Sequence, residues 1–162
     1  IYKDEELIVK VENRLKEKFG EIDFCSGPFP FDFTDYYTNE MGKPLKRKFI
    51  SFLEIVVPEK LWEWKIFTNK VEEKFSKYEK RRVNIDPGYI DLSKVILFST
   101  KDFYHRIYLG NGIYAEVTMY YSKGKFQFFN WTYPDYKTEN YINFFENVRK
   151  IYSKQIKNEN VG

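Results

Sequence analysis

The sequence contains very few of the residues that usually carry metal or redox chemistry. It has one cysteine, Cys25, and one histidine, His105, among 162 residues. A lone cysteine excludes an internal disulfide and a cysteine-based zinc site, and a lone histidine excludes histidine-rich metal sites and paired-histidine phosphodiester chemistry. A chain without a disulfide framework is typical of a reducing compartment, so we expect the cytoplasm.

Several common functional motifs are missing as well. The phosphate-binding pattern G-x-x-x-x-G-K-[ST], the dinucleotide-binding pattern G-x-G-x-x-G and the nucleophile elbow G-x-S-x-G do not occur. No apolar run approaches the roughly 20 residues that span a bilayer, and no basic segment followed by an apolar one marks a signal peptide. We therefore expect no membrane partner.

Aromatic residues, in contrast, are abundant. The 16 Phe, 14 Tyr and 3 Trp make up 20% of the chain, within a hydrophobic share of 43% and a charged share of 31%. This balance indicates a globular protein rather than a disordered one. The net charge of +3 is small for a nucleic-acid-binding protein, and the basic runs 43–48 and 77–82 are typical of solvated strand and helix ends.

The first half of the chain alternates between helical and extended patterns. Apolar residues recur every four positions from Leu7 to Phe19, which predicts a helix that ends at Gly20. A second helix is predicted from Pro58 to about Tyr78. A loop is predicted over 34–43, and strands are predicted over 22–25, 28–33, 46–57 and 82–86.

The second half is dominated by turn signals. The segment Asp86-Pro87-Gly88-Tyr89 predicts a type II turn with a positive φ at Gly88, before a short strand over 95–98. Hairpin turns at 110–112 and 122–125 predict three antiparallel strands, over 104–109, 113–121 and 125–133. A last helix is predicted over 138–157, with Thr138 as its N-cap.

These elements predict one α+β domain over 1–162. The order of helices and strands in the first half indicates a ferredoxin-like split βαβ core. The three-stranded antiparallel meander would extend its sheet, and the C-terminal helix would complete the fold.

The first hairpin decides which group the lone histidine faces. With a two-residue loop at 111–112, His105 is a diagonal neighbour of Glu116, and with the loop at 110–111 the two residues are directly opposite. A three-residue loop would instead pair Arg106 with Glu116. Two of the three registers therefore bring histidine and glutamate together.

A histidine paired with a carboxylate on an aromatic floor suits general acid–base chemistry. The carboxylate fixes the imidazole tautomer, and the first register places Trp131 opposite Glu116. We therefore regard His105 and Glu116 as candidate catalytic residues. A surface cross-strand pair, or a buried histidine satisfied by the glutamate, explains the same pattern without a function.

A second set of polar residues lies along the strand predicted over 82–86. Arg82, Asn84 and Asp86 alternate there and would share one face. Arg82 or Arg106 would hold a phosphate or carboxylate, with Asn84 and Asp86 beside it, and Trp131 would stack on a planar ligand. An ion-pair face and core packing are the structural alternatives.

A third set is acidic. Asp32 and Asp35 lie three residues apart in a segment of irregular pattern, where two carboxylates can bind a divalent cation or position a water molecule. Both residues are equally typical of turns that end an edge strand. The sequence predicts no other metal site and identifies no cofactor.

Several longer segments resemble an uncharacterised prokaryotic domain-of-unknown-function family, whose members are often catalogued as "GTP-binding protein". The resemblance covers nearly the whole chain and implies a nucleotide as one possible ligand, but no established activity. Because the phosphate-binding loop is missing, a nucleotide site would be of a different kind. The segments are FPFDFTDYY at 29–37, RVNIDPGY at 82–89, STKDF at 99–103, HRIYLG at 105–110, GIYAEVT at 112–118 and WTYPDY at 131–136.

Two functions are compatible with these patterns. The first is a small-molecule-binding or hydrolytic domain for an anionic or phosphate-bearing ligand, with a site formed by His105, Glu116, an arginine and either Asp86 or Asp32. The second is a non-catalytic module that binds protein or RNA through exposed aromatic residues beside the basic residues 46–48.

Overall fold

A computed structural model describes residues 1–159 of the chain. The chain divides into two compact units, Ile1–Asp86 and Pro87–Gly162. The single domain predicted over 1–162 stays a prediction, because a division by contacts does not establish whether the units fold independently. Within the described range, no helix has the length and apolar character needed to cross a membrane.

The first unit contains three helices and two small sheets. β1 pairs antiparallel with β4, and β2 pairs antiparallel with β3. The elements are α1 (Glu5–Phe19), β1 (Ile22–Cys25), β2 (Phe29–Pro30), α2 (Thr38–Met41), β3 (Lys46–Arg47), β4 (Ile50–Phe52) and α3 (Trp62–Lys74).

Strands in this unit are shorter than the sequence predicts, with the exception of β1. The strands predicted over 28–33 and 46–57 reduce to β2 and to the pair β3 and β4, and the loop predicted over 34–43 contains α2. Prolines at 28 and 30 remove backbone donors from the second strand, which limits its ladder. In place of the single sheet of the predicted ferredoxin-like core, the first unit has two separate two-stranded sheets, and the meander belongs to the five-stranded sheet of the second unit.

Helix α1 spans Glu5–Phe19 and ends at the residue that its sequence predicts. Asp4 caps it by accepting hydrogen bonds from the backbone N–H groups of Glu6 and Leu7, both at 3.0 Å. Gly20 ends the helix with a φ of 87°, which favours glycine. The buried face of α1 belongs to a core cluster that contains Tyr2, Leu7, Val11, Leu15, Val71 and Val83.

Helix α3 is shorter than predicted, and its buried face carries charge. It spans Trp62–Lys74, so Tyr78 lies beyond it and is exposed. Lys65 and Glu72 are buried on the same face as Thr68, because residues at spacings of three, four and seven share a helix face. The strand predicted over 82–86 is reduced to an isolated bridge between Val83 and Tyr2.

The second unit contains one five-stranded sheet and the C-terminal helix. Its strand order is β5-β6-β8-β7, and β9 also pairs with β8. This confirms the α+β class, the antiparallel meander and the C-terminal helix. The elements are β5 (Gly88–Ile90), β6 (Lys94–Ser99), β7 (Ile107–Gly110), β8 (Ile113–Ser122), β9 (Lys125–Phe128), a 3₁₀ helix (Pro134–Lys137) and α4 (Glu139–Glu159).

The long strand β8 has different partners on its two edges. β6 pairs with residues 114–120 of β8. β7 pairs with residues 113–115 and β9 with residues 119–122. Because a strand has only two edges, β7 and β9 lie end to end on the edge opposite β6. Between them, residues 116–118 face two turns instead of a strand.

The type II turn predicted at 86–89 is wrong. Gly88 begins β5, and its φ does not lie in the left-handed region. The structure shows a different need for glycine at this position, since a Cβ on Gly88 would lie 2.1 Å from the carbonyl oxygen of Ile96 in β6. A close approach between two backbones accounts for Gly88.

Helix α4 begins at Glu139, one residue later than predicted. The hydroxyl of Thr138 donates a 2.7 Å hydrogen bond to the carbonyl of Asp135 in the preceding 3₁₀ helix. Arg149 lies 3.5 Å from the centroid of the Tyr121 ring and donates to the carbonyl of Leu92. The buried residues of the helix include Tyr141, Phe144, Phe145 and Val148.

Candidate functional site

The β7–β8 hairpin combines two of the registers that the sequence leaves open. Gly110 pairs with Ile113 across a two-residue loop, but the register then shifts, and Tyr108 pairs with Tyr114. The loop residue Asn111 has a φ of 54°, in the left-handed region. In the shifted register, Ile107 pairs with Ala115, so the preceding residue Arg106 is aligned with Glu116 of β8.

A turn then brings two neighbouring side chains to one carboxylate. The backbone N–H of Arg106 donates to the carbonyl of Phe103 at 2.9 Å. From this turn, Nε of Arg106 lies 2.7 Å from Oε2 of Glu116, and Nε2 of His105 lies 3.2 Å from the same oxygen. The predicted cluster of His105, Glu116 and Arg106 therefore forms within one unit.

Glu116 is buried, with 3% of its surface exposed, and its charge is compensated by Arg106. Its second oxygen, Oε1, accepts a hydrogen bond from the hydroxyl of Thr118 at 3.2 Å. A buried carboxylate with these three donors is well satisfied, because each oxygen accepts at least one hydrogen bond.

Arg106 directs its donors toward protein groups. Besides Glu116, the guanidinium donates to the hydroxyl of Ser99 and the carbonyl of Lys101, both at 3.0 Å, and approaches the hydroxyl of Tyr133 at 3.4 Å. Only 4% of the side chain is exposed. Arg106 therefore holds Glu116 and the turn in place, a role that differs from the anion-binding role predicted for it.

His105 has one nitrogen with a partner and one without. Its side chain is 9% exposed, and among the described residues its Nδ1 atom is buried without a hydrogen-bond partner. A carboxylate beside a guanidinium can only accept hydrogen bonds, so Nε2 of His105 carries the proton that Glu116 accepts. In the neutral imidazole, Nδ1 then carries a lone pair to which none of the described residues donates a hydrogen bond.

The imidazole lies in a stack of aromatic rings. His105 stacks on Trp131 with centroids 5.1 Å apart and on Phe103 with centroids 6.0 Å apart. Trp131 in turn stacks on Phe129 at 4.5 Å. The aromatic floor predicted beneath the histidine thus exists, although Trp131 contributes to it from beyond the end of β9.

The free edge of β8 holds this stack in place. The indole N–H of Trp131 donates to the carbonyl of Val117 at 2.9 Å, and the hydroxyl of Thr132 donates to the carbonyl of Thr118 at 2.5 Å. These carbonyls lie in the stretch of β8 between β7 and β9. The break in strand pairing therefore creates the place where the aromatic turn docks.

Exposed aromatic side chains lie close to the histidine. Tyr104 is 85% exposed, and its ring makes T-shaped contacts with His105 at 5.0 Å and Trp131 at 6.4 Å. Phe103 and Tyr133 are about half exposed. The buried imidazole therefore lies beside exposed aromatic surface within the second unit.

Asn84 and Asp86 lie in the first unit, in a separate polar network. The amide of Asn84 donates to Asp86 at 2.8 Å, and the ammonium of Lys65 lies 3.7 Å from the same carboxylate. Burial raises the pKa of Asp86, but the charges of Lys65 and Arg47 outweigh it and hold that pKa below its usual value. Lys65 also donates to the carbonyl of Ile85 at 2.6 Å.

Glu72 and Arg81 complete this network. Glu72 accepts from the backbone N–H of Ile85 at 2.7 Å, and its other oxygen lies 3.4 Å from Arg81. Arg81 also forms a two-pronged contact with Glu40, with both distances 2.8 Å. The network is internally satisfied and connects α2 and α3 to the segment 81–86, which is a structural role.

Arg82 does not join this network. It binds Asp4 at 2.6 Å on the surface. In the network, Arg81 donates to Asn84 at 3.0 Å and Lys65 lies 3.7 Å from Asp86. Sequence reasoning missed Lys65 and Glu72 because their stripe was expected to be apolar. Their spacing of seven residues on one helix, with Thr68 between them, was the signal that could have found them.

The acidic pair at 32 and 35 lies on the surface, and Asp35 binds neighbouring side chains. Asp32 is exposed, and Asp35 binds Lys43 at 2.5 Å and the hydroxyl of Thr38 at 3.3 Å. Across residues 1–159, no group of three or more His, Cys, Asp and Glu side chains has an arrangement that could hold a metal ion.

The basic residues 46–48 do not form an open positive surface. Lys46 is paired with Glu5, and Lys48 lies 2.6 Å from Glu12. Arg47 is buried against the ring of Phe31, with its guanidinium 4.5 Å from the ring centroid. Each of these charges has a partner within the first unit.

The comparison with known families agrees with the resemblance that the sequence shows. The sequence profile described as "Domain of unknown function (DUF4416)" matches residues 1–152. The chain belongs to the DUF4416 family. Neither the curated proteins nor the solved structures gave a match. The DUF4416 match includes every candidate residue of both units and assigns no activity to any of them.

Proposed function

We propose that the second unit is a small-molecule-binding or hydrolytic module in which His105 contacts the ligand and Glu116 orients the imidazole of His105. One observation carries the proposal. His105 is nine-tenths buried and held on one side by Glu116, while its other nitrogen has no partner among the described residues.

A histidine retained only for packing would satisfy both nitrogens. Buried polar groups are almost always hydrogen-bonded, and an unsatisfied one costs about 1–3 kcal/mol. Such costs concentrate where a ligand or reaction supplies the missing partner. A phenylalanine would fill the aromatic stack equally well, so the polar ring indicates a use for its nitrogens, of which Nε2 binds Glu116 and Nδ1 binds none of the described residues.

The arrangement can move a proton in a defined direction. A hydroxyl group or water molecule of the bound state donates its hydrogen bond to Nδ1 of His105, which accepts the proton as a general base. The resulting imidazolium is stabilised by Glu116 through Nε2–H. Arg106 keeps the carboxylate in position, so it is a positioning residue rather than a group that touches the ligand.

An anionic or phosphate-bearing ligand would place different demands on the site. Arg106 already donates to Glu116, Ser99 and Lys101. A phosphate would therefore be held by the protonated form of His105. We also propose the cytoplasm as the compartment, since the exposed thiol of Cys25 suits reducing conditions.

The proposal is tested by a thermal-shift screen of small molecules on the wild-type protein and on His105→Phe. The variant keeps an aromatic ring in the stack and removes both nitrogens. We expect a ligand at ten times its Kd to raise the wild-type Tm by about 3–5 °C. It should leave the variant unchanged, whereas ligands that stabilise both proteins equally would contradict the proposal.

A binding module for another macromolecule is the second candidate function. Ile107, 70% exposed, and Tyr108 lie on the edge strand β7 and would suit a protein partner. The pairing of Lys46 and Lys48 with glutamates argues against RNA at that place. Single-stranded RNA titrated at 50 and 200 mM salt should show no salt-dependent binding, and a steep dependence would favour this function instead.

A further inference from the structure

We propose that the ligand of the His105 site is a neutral, planar compound that donates an N–H or O–H group to Nδ1 of His105. This inference rests on the proposed function and specifies its ligand class. It follows from the charge balance of the cluster, the direction of the free lone pair and the aromatic surroundings.

The charge balance favours a neutral donor. Arg106 and Glu116 compensate each other at 2.7 Å, so the cluster has no net charge while His105 is neutral. Nδ1 then presents a lone pair, and a phosphate or carboxylate would bring another acceptor toward it. An N–H or O–H group forms the hydrogen bond without any change in protonation.

The direction of approach favours a planar shape. The lone pair of Nδ1 lies in the plane of the imidazole, whose faces stack on Trp131 and Phe103 with interplanar angles of 13° and 26°. A partner for Nδ1 must therefore arrive along the edge of this stack. A flat ring fits that approach while it keeps its own faces on aromatic neighbours.

The protein already places an exposed aromatic ring beside this stack. Tyr104 contacts His105 and Trp131 in T-shaped geometry, yet 85% of its surface is exposed. Because so little of Tyr104 is buried, moving its ring aside costs little apolar contact. Phe103 and Tyr133, about half exposed, offer further ring surface to a planar ligand.

Indole and 1-methylindole test this ligand class as a matched pair, since they share a ring system and differ in the N–H donor. Each is titrated into uniformly ¹⁵N-labelled protein while the side-chain nitrogens of His105 are observed by NMR. We expect indole to shift Nδ1 and to bind at least about tenfold more tightly than 1-methylindole, because the methylated ring leaves the acceptor unsatisfied. Inorganic phosphate should leave Nδ1 unchanged.

The variant His105→Phe provides the control. It retains the stack, so both indoles should bind to it with the same weak affinity. Equal affinity of the two indoles for the wild-type protein would overturn the ligand class. A shift of Nδ1 by phosphate alone would also overturn it, but would leave the proposed function standing. A proton on Nδ1 of the free protein would contradict both.

Discussion

Two adjacent side chains, His105 and Arg106, bind the same carboxylate oxygen and have different roles. Arg106 neutralises Glu116 and ties it to Ser99 and the 101 carbonyl, and every one of these contacts is internal. His105 adds one contact to Glu116 and keeps a second nitrogen free of protein partners in the described structure. Stability is therefore expected to depend on Arg106, and function on His105.

Replacement of Arg106 by methionine should strongly destabilise the protein. Glu116 would remain buried without its counter-charge, a situation that typically costs about 3–5 kcal/mol. Arg149→Met is the matched control, because Arg149 is partly buried and contacts two neutral groups of the same unit, the carbonyl of Leu92 and the ring of Tyr121. Urea denaturation should show a loss below about 1 kcal/mol for the control, and equal losses for both variants would refute the role of Arg106.

Replacement of His105 by phenylalanine should change the free energy of unfolding by less than about 1 kcal/mol. Glu116 keeps its hydrogen bonds from Arg106 and Thr118, and the new ring restores the stack without an unsatisfied nitrogen. Urea denaturation of the wild-type protein and of the variant measures this change. A loss of about 3 kcal/mol or more would mean that His105 is a structural residue.

Residue-level sequence reasoning named the side chains that meet Glu116 but not the way in which they meet it. The register after the shift between Tyr108 and Gly110 is the one that pairs Arg106 with Glu116, which the sequence left as an alternative. His105 reaches the same carboxylate from the turn before β7, which strand alternation does not predict. The buried charges Lys65 and Glu72 were missed because their partners come from a distant segment, 81–86.

Among the elements, strand β8 determines where the site lies. β7 and β9 share one of its edges and leave residues 116–118 between them, and the two turns that fill this gap carry His105 and Trp131. Edge positions between strand ends expose carbonyl groups that need donors. The indole of Trp131 and the hydroxyl of Thr132 supply them.

The pairing of β5 with β6 should depend on glycine at position 88. In Gly88→Ala the new methyl group would meet the carbonyl oxygen of Ile96 at 2.1 Å, so the strands must separate at a cost of about 1–3 kcal/mol. Gly27→Ala is the control, because no atom lies within 4 Å of its added methyl group. Urea denaturation compares the two variants, and an unchanged midpoint for Gly88→Ala would contradict the close contact.

Element boundaries were predicted best where a single physical signal dominates. Gly20 was predicted to end α1 and does so with a positive φ, and β1 has the bounds 22–25 that were predicted for it. The strands around β2 to β4 were overestimated, because aromatic alternation in 28–33 and 46–57 resembles a strand even where prolines and tertiary contacts prevent a ladder. Gly88 was assigned to a turn because Pro-Gly is a strong local signal.

At the scale of the whole molecule, each compact unit contains its own buried polar network. The network of the first unit includes the contact of Glu40 with Arg81. Hydrogen bonds from Arg81 hold the pKa of Glu40 below its ordinary value of 4.5. The pKa of Glu40 is lower in the folded protein than in the unfolded chain. The contribution of this contact to stability is therefore fully present at pH values above the unfolded pKa, and it is lost as the pH falls through the folded pKa.

The variant Glu40→Gln should therefore be less stable than the wild-type protein at pH 7 and nearly equal to it at pH 3. The measurement is the free energy of unfolding at both pH values. Glu59→Gln serves as the control, since Glu59 is exposed and forms no ion pair with a basic side chain among residues 1–159. Its difference from wild type should therefore stay small at both pH values. A constant deficit of Glu40→Gln across this range would contradict an ionic origin.

The central claim is that His105 is held by Glu116 through Nε2–H and offers Nδ1 to a ligand. The most direct measurement is a long-range ¹H–¹⁵N NMR spectrum of the only histidine in the free protein at neutral pH. We predict a single tautomer with the proton on Nε2 and an unprotonated Nδ1. A proton on Nδ1, or the averaged signals of an imidazole that exchanges freely with solvent, would contradict the account.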